Sequence, residues 1–251
     1  MMREDTVFGP IYSRRLGASL GINLLPRNGK LCNFDCIYCE CGWNRDGRGD
    51  RIIPDAEELR IRLEAKLKEC RENGVRIDSI TFAGDGEPTL NPDFARIIDI
   101  TIGLRDRYYP EARVSVLSNA TKIWRDDVFE ALRKVDNPIM KIDAGTDEAV
   151  RTVNRPTGDY SLDDIVEGLA RFNGNFVLQT MFLKSGIFDS SEAESLNRWM
   201  DIVRKLHPRE VMVYTIDRET PMEGLEKISA ESMREMVRPL IDEGFDIQIR
   251  G

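Results

Sequence analysis

Cys32-Asn33-Phe34-Asp35-Cys36-Ile37-Tyr38-Cys39 is the stretch from which the rest of the chain can be read. Three thiols spaced C-x3-C-x2-C on one short loop can, as thiolates, ligate three irons of a [4Fe-4S] cube and leave the fourth without a protein ligand. An open iron is a place where a small chelating molecule can bind. A second reading brings in Cys41, so that Cys32, Cys36, Cys39 and Cys41 close a tetrahedral zinc site. Structural zinc sites usually pair C-x2-C knuckles from two separated places in the chain, which one crowded loop does not supply. The open cluster fits the ligand geometry better.

Before the loop, residues 18–25 alternate small or polar side chains with apolar ones, as a half-buried strand does, and Pro26-Arg27-Asn28-Gly29 breaks the pattern. Phe8-Gly9-Pro10 and Tyr12-Ser13-Arg14-Arg15-Leu16-Gly17 read as a glycine- and proline-punctuated lead-in. Arg14 and Arg15 are either a solvated basic turn or a grip on an anionic substrate group. After the loop, residues 42–49 are rich in glycine and charge, the composition of a mobile connection.

Strands and helices then alternate. Pro54-Asp55 starts a helix to about Asn73, with Leu59, Leu63 and Leu67 on one face, Gly74 as a stop and Cys70 as a packed thiol. Residues 77–83, 112–118, 139–144, 176–182 and 211–217 read as strands, and 245–249 as a final one. Residues 93–107 and 125–135, helices opened by Ser161 and by the Ser191/Glu194 capping box, and 230–242 ended by Gly244, fill the gaps. The order implies a parallel sheet with helices outside, the α/β class, within one domain over 1–251.

Several strand ends carry candidate chemistry. Gly84-Asp85-Gly86-Glu87-Pro88 follows the 77–83 strand. Its glycines let the backbone approach a ligand and Glu87 offers a carboxylate to a cation, although an ordinary strand-to-helix turn has the same composition. Ser118 and Asn119 end another strand. Lys141 and Asp143 share a strand face, where a buried pair must neutralise itself or meet a ligand. Gln179 and Thr215 lie on later strands. Parallel barrels place ligand sites at the rim where strands end, so the cysteine loop, Glu87, Ser118, Asn119, Asp143 and Thr215 are expected at one site.

Composition narrows the classes of function. With 251 residues, 41% of them hydrophobic, the chain can bury a full core, and no apolar run is long enough to span a bilayer. The charged start shows no signal peptide, and five cysteines with four inside ten residues do not form a secreted disulfide framework, so a reducing cytoplasmic setting is expected. A net charge of -8 argues against a broad nucleic-acid surface. His207, the only histidine, leaves little scope for histidine catalysis and reads as structural in a helix-to-strand turn.

With Tyr38 just before its third cysteine, the loop resembles the signature of radical S-adenosylmethionine (radical SAM) enzymes. Gly84-Asp85-Gly86-Glu87-Pro88 resembles the Gly-Gly-Glu-Pro motif by which they bind the amino group of S-adenosylmethionine, with Asp85-Gly86 in place of Gly-Gly. Phe8-Gly9-Pro10, Ser13-Arg14-Arg15-Leu16-Gly17, Ser19-Leu20-Gly21, Gly86-Glu87-Pro88-Thr89-Leu90, Lys141-Ile142-Asp143-Ala144-Gly145 and Asn154-Arg155-Pro156 extend the likeness over most of the chain. Together they resemble the subfamily that includes the wybutosine-pathway tRNA enzymes making 4-demethylwyosine.

That resemblance implies a partial (β/α)6 TIM-like barrel, a [4Fe-4S] cluster on Cys32, Cys36 and Cys39, and S-adenosylmethionine on Glu87, with Tyr38, Gly84, Gly86, Ser118 and Asn119 as further cofactor contacts. On the substrate side, Lys141 and Asp143 are the candidate catalytic residues and Arg14, Gln179 and Thr215 the candidate contacts, and a flavodoxin- or ferredoxin-type electron donor is expected. The tRNA enzymes carry a second cysteine-ligated cluster upstream; the absence of cysteine before Cys32 and the acidic balance disfavour tRNA as substrate. An activating enzyme that makes a glycyl radical on a protein partner, and a non-enzymatic zinc- or cluster-stabilised domain, are the alternatives.

Overall fold

Residues Val7–Ser13 form strand β1 and Gly17–Ile22 strand β2, paired antiparallel with Val7 opposite Ile22 and Tyr12 opposite Ala18. The structure is a computed structural model that describes residues 5–13, 16–26, 29–46 and 52–251. Arg14 and Arg15, residues 27–28 of the turn after the first expected strand, and residues 47–49 of the glycine-rich connection lie outside them. The lead-in expected at 8–17 is therefore largely a strand. Gly9-Pro10 hides it, because the pairing shifts register between Phe8 and Ile11, where proline lacks an N–H and Gly9 takes φ +92°.

The chain divides into two compact units, residues 1–32, 44–118 and 124–138 in the first and 33–43, 119–123 and 139–251 in the second. In the first, α1 (Ala56–Glu72), β3 (Ser79–Phe82), α2 (Phe94–Tyr108), β4 (Arg113–Ser118) and α3 (Asp126–Lys134) follow in order. Strands β2, β3 and β4 are parallel, with Leu20, Ile80 and Val114 in one lateral row and Ile22, Phe82 and Val116 in the next. All six are buried, and Phe82 meets Phe94 of α2 edge-on at 6.4 Å. Each such side chain contributes roughly 1.5–3 kcal/mol by leaving water. The opposite face is polar but satisfied: Ser19 pairs with Thr81 at 2.8 Å, Thr81 with Ser79 at 2.9 Å, and Ser79 with Ser115 at 3.0 Å. The small-apolar alternation of residues 18–22 is thus the signature of one helix-facing and one hydroxyl-lined face.

The second unit takes β5 (Asn137–Lys141) from Ile139 onward. It continues through α4 (Asp147–Val153), α5 (Leu162–Ala170), β6 (Val177–Met181), β7 (Leu183–Lys184), α6 (Ala193–Leu206) and β8 (Glu210–Tyr214). The short β9 (Glu226–Lys227), α7 (Ala230–Met236), α8 (Arg238–Asp242) and β10 (Ile247–Arg250) complete it. Strands β5, β6, β8 and β10 run parallel in that order, while β7 and β9 form a small antiparallel pair that the sequence did not signal. Trp199 of α6 is the hub of the helix-facing side. Its Nε1 donates to the Ile142 carbonyl at 3.2 Å and to Thr180 Oγ1 at 3.1 Å, and its ring meets Phe182 at 5.3 Å.

Three boundaries differ from expectation for local reasons. Helix α6 is capped by Glu192, whose carboxylate accepts from the N–H groups of Glu194 and Ser195, while the Ser191 hydroxyl turns to Asp189. The expected 230–242 helix breaks at Val237, because Pro239 has no N–H for the preceding turn. Helix α4 was not foreseen; Thr146 caps it by accepting from the Ala149 N–H. Ser161 caps α5 as expected, and His207 ends α6 with φ +47° in the turn expected of it. Among the described residues no helix is long and apolar enough to cross a membrane.

Trp199→Phe removes the indole donor but keeps most of the ring. It should destabilise the protein by about 1–3 kcal/mol, the cost of leaving a buried acceptor short of a partner, read as a lower urea midpoint with unchanged slope.

Candidate active site

In the first unit the approach to the cysteine loop is fixed by backbone pairing. Leu31 donates its N–H to the Asp85 carbonyl at 2.9 Å, and the Leu31 carbonyl accepts from the Glu87 N–H at 3.0 Å, a parallel bridge across Gly86. Gly86 sits at φ +144°, and a Cβ there would collide with the Leu31 carbonyl oxygen. Gly84 is excluded from carrying a side chain by Asn23, whose Oδ1 accepts from the N–H groups of Leu25 and Asp85, each at 3.2 Å. Both glycines therefore allow close approach of the chain to itself. Glu87 is buried, and its Oε1 accepts from the Thr89 N–H at 3.1 Å, the Thr89 hydroxyl at 2.6 Å and the Ser118 hydroxyl at 2.8 Å. Three donors on one oxygen fix the orientation of the carboxylate, and Ser118 acts through Glu87.

In the second unit the loop lies against the segment that follows α4. Asp35 donates its N–H to the Asn154 carbonyl at 2.9 Å, Ile37 to the Val153 carbonyl at 3.0 Å, and Thr157 donates back to the Asn33 carbonyl at 2.8 Å. Arg155 adopts φ +49° within this cradle, and Phe34 meets the Tyr160 ring edge-on at 5.6 Å. Asn119 donates from Nδ2 to Asn33 Oδ1 at 2.8 Å, and Asn33 Nδ2 donates to Thr121 Oγ1 at 2.6 Å. The Asn154-Arg155-Pro156 run thus holds the cysteine loop by its backbone, and Asn119 holds it by a side chain.

Behind the loop lies a buried polar network on the far end of β5. The Asp143 carboxylate accepts from the Tyr38 hydroxyl in a short hydrogen bond, from Asn154 Nδ2 at 2.6 Å and from the Met181 N–H at 2.8 Å, and lies 3.5 Å from Lys141 Nζ. Lys141 donates to the hydroxyls of Tyr38 at 2.7 Å and Tyr214 at 3.3 Å, over whose rings its ammonium also sits. Burial works against the Lys141 charge, yet Asp143 and Tyr214 outweigh it and hold the ammonium above the usual lysine range. Burial, then the Asp143 charge, drives the Tyr38 phenol well above its ordinary value. Asn154 Nδ2 also donates to Cys36 Sγ at 3.3 Å. Burial pushes the Cys36 thiol up to about 11, against the pull of Lys141 and the Asn154 amide.

The sequence candidates therefore fall into groups. Glu87, Ser118, Gly84 and Gly86 belong together in the first unit. Tyr38, Lys141, Asp143 and Cys36 belong together in the second, where Asn119 serves the loop. Cys39 and Cys32 are partly exposed, Asn44 Nδ2 donates to the Cys32 carbonyl at 3.1 Å, and Cys70 is buried on α1. Among the described residues no three Cys, His, Asp or Glu side chains already stand close enough together to hold a metal ion. Thr215 is committed to structure, its Oγ1 accepting from the Ile228 N–H at 3.0 Å. Gln179 lies within β6, and Arg14 is outside the described residues. Asn33, Thr121, Asn154 and Tyr214 were given no role from the sequence, although Asn33 lies in the quoted cysteine stretch and Asn154 in the Asn154-Arg155-Pro156 run.

Three thiols on a loop pinned by its backbone, one of them met by an amide donor, fit cluster ligation, and a clamped carboxylate fits an ammonium ligand. Residues 29–198 match the family model of the Radical SAM superfamily, and the chain belongs to it. Members of this superfamily are enzymes, and their cofactors are S-adenosylmethionine and a [4Fe-4S] cluster. A UPF0026 protein of Methanocaldococcus jannaschii is 32% identical over 213 residues, which is 83% of this chain and 62% of that protein. Among solved structures, a radical SAM methyltransferase from Sphaerobacter thermophilus is similar with a TM-score of 0.68 at 15% identity, over 92% of this chain and 65% of that one. SuiB from Streptococcus suis bound to S-adenosylmethionine gives 0.66 at 16%, over 92% and 50%. The chain thus spans less than two thirds of these relatives. The likeness shows the fold, an α/β arrangement of the partial TIM-like barrel kind. Similarity to UPF0026 proteins supports the superfamily and does not single out the wybutosine branch.

Gly86→Ala should be strongly destabilising, by more than ~2 kcal/mol, since it combines a disfavoured φ with a backbone collision. A thermal melt of the cluster-free protein checks this, and an unchanged melt would deny the Leu31 bridge its role.

Proposed function

We propose that this chain is the core of a radical SAM enzyme in which Cys32, Cys36 and Cys39 hold a [4Fe-4S] cluster and Glu87 receives the amino group of S-adenosylmethionine. With both bound, that pair supplies reductive cleavage of S-adenosylmethionine to methionine and a 5'-deoxyadenosyl radical that abstracts hydrogen from a substrate. The observation carrying the reading is the C-x3-C-x2-C loop of a superfamily member held by backbone bonds to residues 153–157.

The protein's own part is positioning and charge control. Burial disfavours the free Cys36 thiolate, and Asn154 and Lys141 favour it, so these two groups would stabilise Cys36 as an anionic ligand. Thr89 and Ser118 hold Glu87 through its Oε1. Asp143, the expected catalytic carboxylate, is surrounded by donors and acts as the anchor for Tyr38, Asn154 and Lys141. Lys141, the less buried member of that pair, is held by Asp143 and by the hydroxyls of Tyr38 and Tyr214. A low-potential donor of the flavodoxin or ferredoxin type would supply the electron in the cytoplasm. The net charge of -8 weighs against tRNA as substrate.

Anaerobic reconstitution with iron and sulfide, reduction with dithionite and assay of 5'-deoxyadenosine tests the proposal. Wild-type protein should form it and Cys36→Ala should not. Glu87→Gln should raise the half-saturating S-adenosylmethionine concentration about tenfold, the loss of ~1.5 kcal/mol from a charged hydrogen bond. Tightly bound zinc with no iron-dependent cleavage would make a structural domain the better account.

A further inference from the structure

One lateral row of side chains crosses the sheet of the second unit on the face opposite Trp199. Lys141 of β5 is in register with Gln179 of β6, Gln179 with Met212 of β8, and Met212 with Gln248 of β10. Lateral neighbours in a parallel sheet point the same way, so cation, amide, thioether and amide lie side by side. The next row toward the strand ends is Met181, Tyr214 and Arg250. Gln179 is only 4% exposed, yet among the described residues its amide has no hydrogen-bond partner, and the half-buried Gln248 amide has none either. Amides this deeply placed are nearly always paired, so the unpaired Gln179 amide points to a ligand.

We propose that this row recognises an extended peptide segment as the substrate of the radical chemistry, a proposal that rests on the function proposed above. A carboxamide presents one acceptor and two donor hydrogens, which is the complement of a backbone amide. Gln179 and Gln248 stand two strands apart, about 10 Å, which is roughly three residues of extended chain. Met212 between them offers a soft, adaptable contact for an intervening side chain. Phosphate is poorly served at this depth, because the one cation of the row is already met by Asp143 and two tyrosine hydroxyls. Arg250, exposed at the edge strand and without an ion pair among the described residues, suits a carboxylate on the same peptide.

The test is saturation-transfer NMR on the full chain without cluster or S-adenosylmethionine, using the blocked peptide acetyl-Ala-Gly-Ala-Glu-amide as probe and adenosine monophosphate as competitor. Expected is saturable peptide binding that weakens about tenfold or more in the Gln179→Leu/Gln248→Leu variant and is not displaced by the nucleotide. The melting temperature of Gln179→Leu should be unchanged or higher, because no internal hydrogen bond is lost; Gln248→Leu alone provides a second folded variant. Absence of peptide binding, binding indifferent to both glutamines, glutamine-dependent binding of the nucleotide instead, or a large drop in melting temperature for Gln179→Leu would overturn the proposal. Since the measurement needs no cluster, it fails independently of the 5'-deoxyadenosine assay.

Discussion

The Asp143 carboxylate is buried at the end of β5 and surrounded by donors from three other places in the second unit: Tyr38 in the cysteine loop, Asn154 after α4, and the Met181 N–H at the end of β6. A charge in such a place is tolerated only if its partners are held around it, and removing one costs roughly 3–5 kcal/mol. The requirement works in both directions. It draws Lys141 into the same cluster, and it fixes the face of Asn154 that donates to Cys36. The surroundings of the Cys36 thiol are thus ordered, through Asn154, by a carboxylate.

The first unit reaches a comparable result with backbone. Leu31 and Gly86 pair as a one-residue parallel bridge, and Asn23 fills the space beside Gly84 with an amide that serves two backbone N–H groups. The glycines are needed because two stretches of main chain must pass within hydrogen-bonding distance. Glu87 follows directly, so the bridge that positions the residue before Cys32 also positions the carboxylate. Loops that carry reactive groups have little apolar surface to bury, and here hydrogen bonds supply the order that a core supplies elsewhere.

Much of this was legible in the sequence. The spacing of the cysteines, the strand-helix alternation and the carboxylate after Gly86 all depend on local residue order, which periodicity and turn chemistry report directly. What escaped was set by distant partners. Strand β1 was obscured by Gly9-Pro10, whose meaning depends on a register shift against β2. Asp143 and Lys141 were expected to act on a ligand or on each other, but the tyrosines flanking Lys141 come from the cysteine loop and from β8. Asn154 stood in a quoted motif without a role, since its target thiol lies 118 positions away. Gln179 was picked out from its strand, while Gln248 became visible only when the strand order aligned it with Met212.

The most direct measurement is electron-nuclear double resonance on the reduced, reconstituted chain with S-adenosylmethionine labelled with nitrogen-15 at its amino group. A cluster on Cys32, Cys36 and Cys39 with an open iron should show hyperfine coupling to the labelled nitrogen. A [4Fe-4S] signal that does not respond to the labelled molecule, and that changes when Cys41 is replaced, would mean a fourth protein ligand closes the cluster and would contradict the open-iron account.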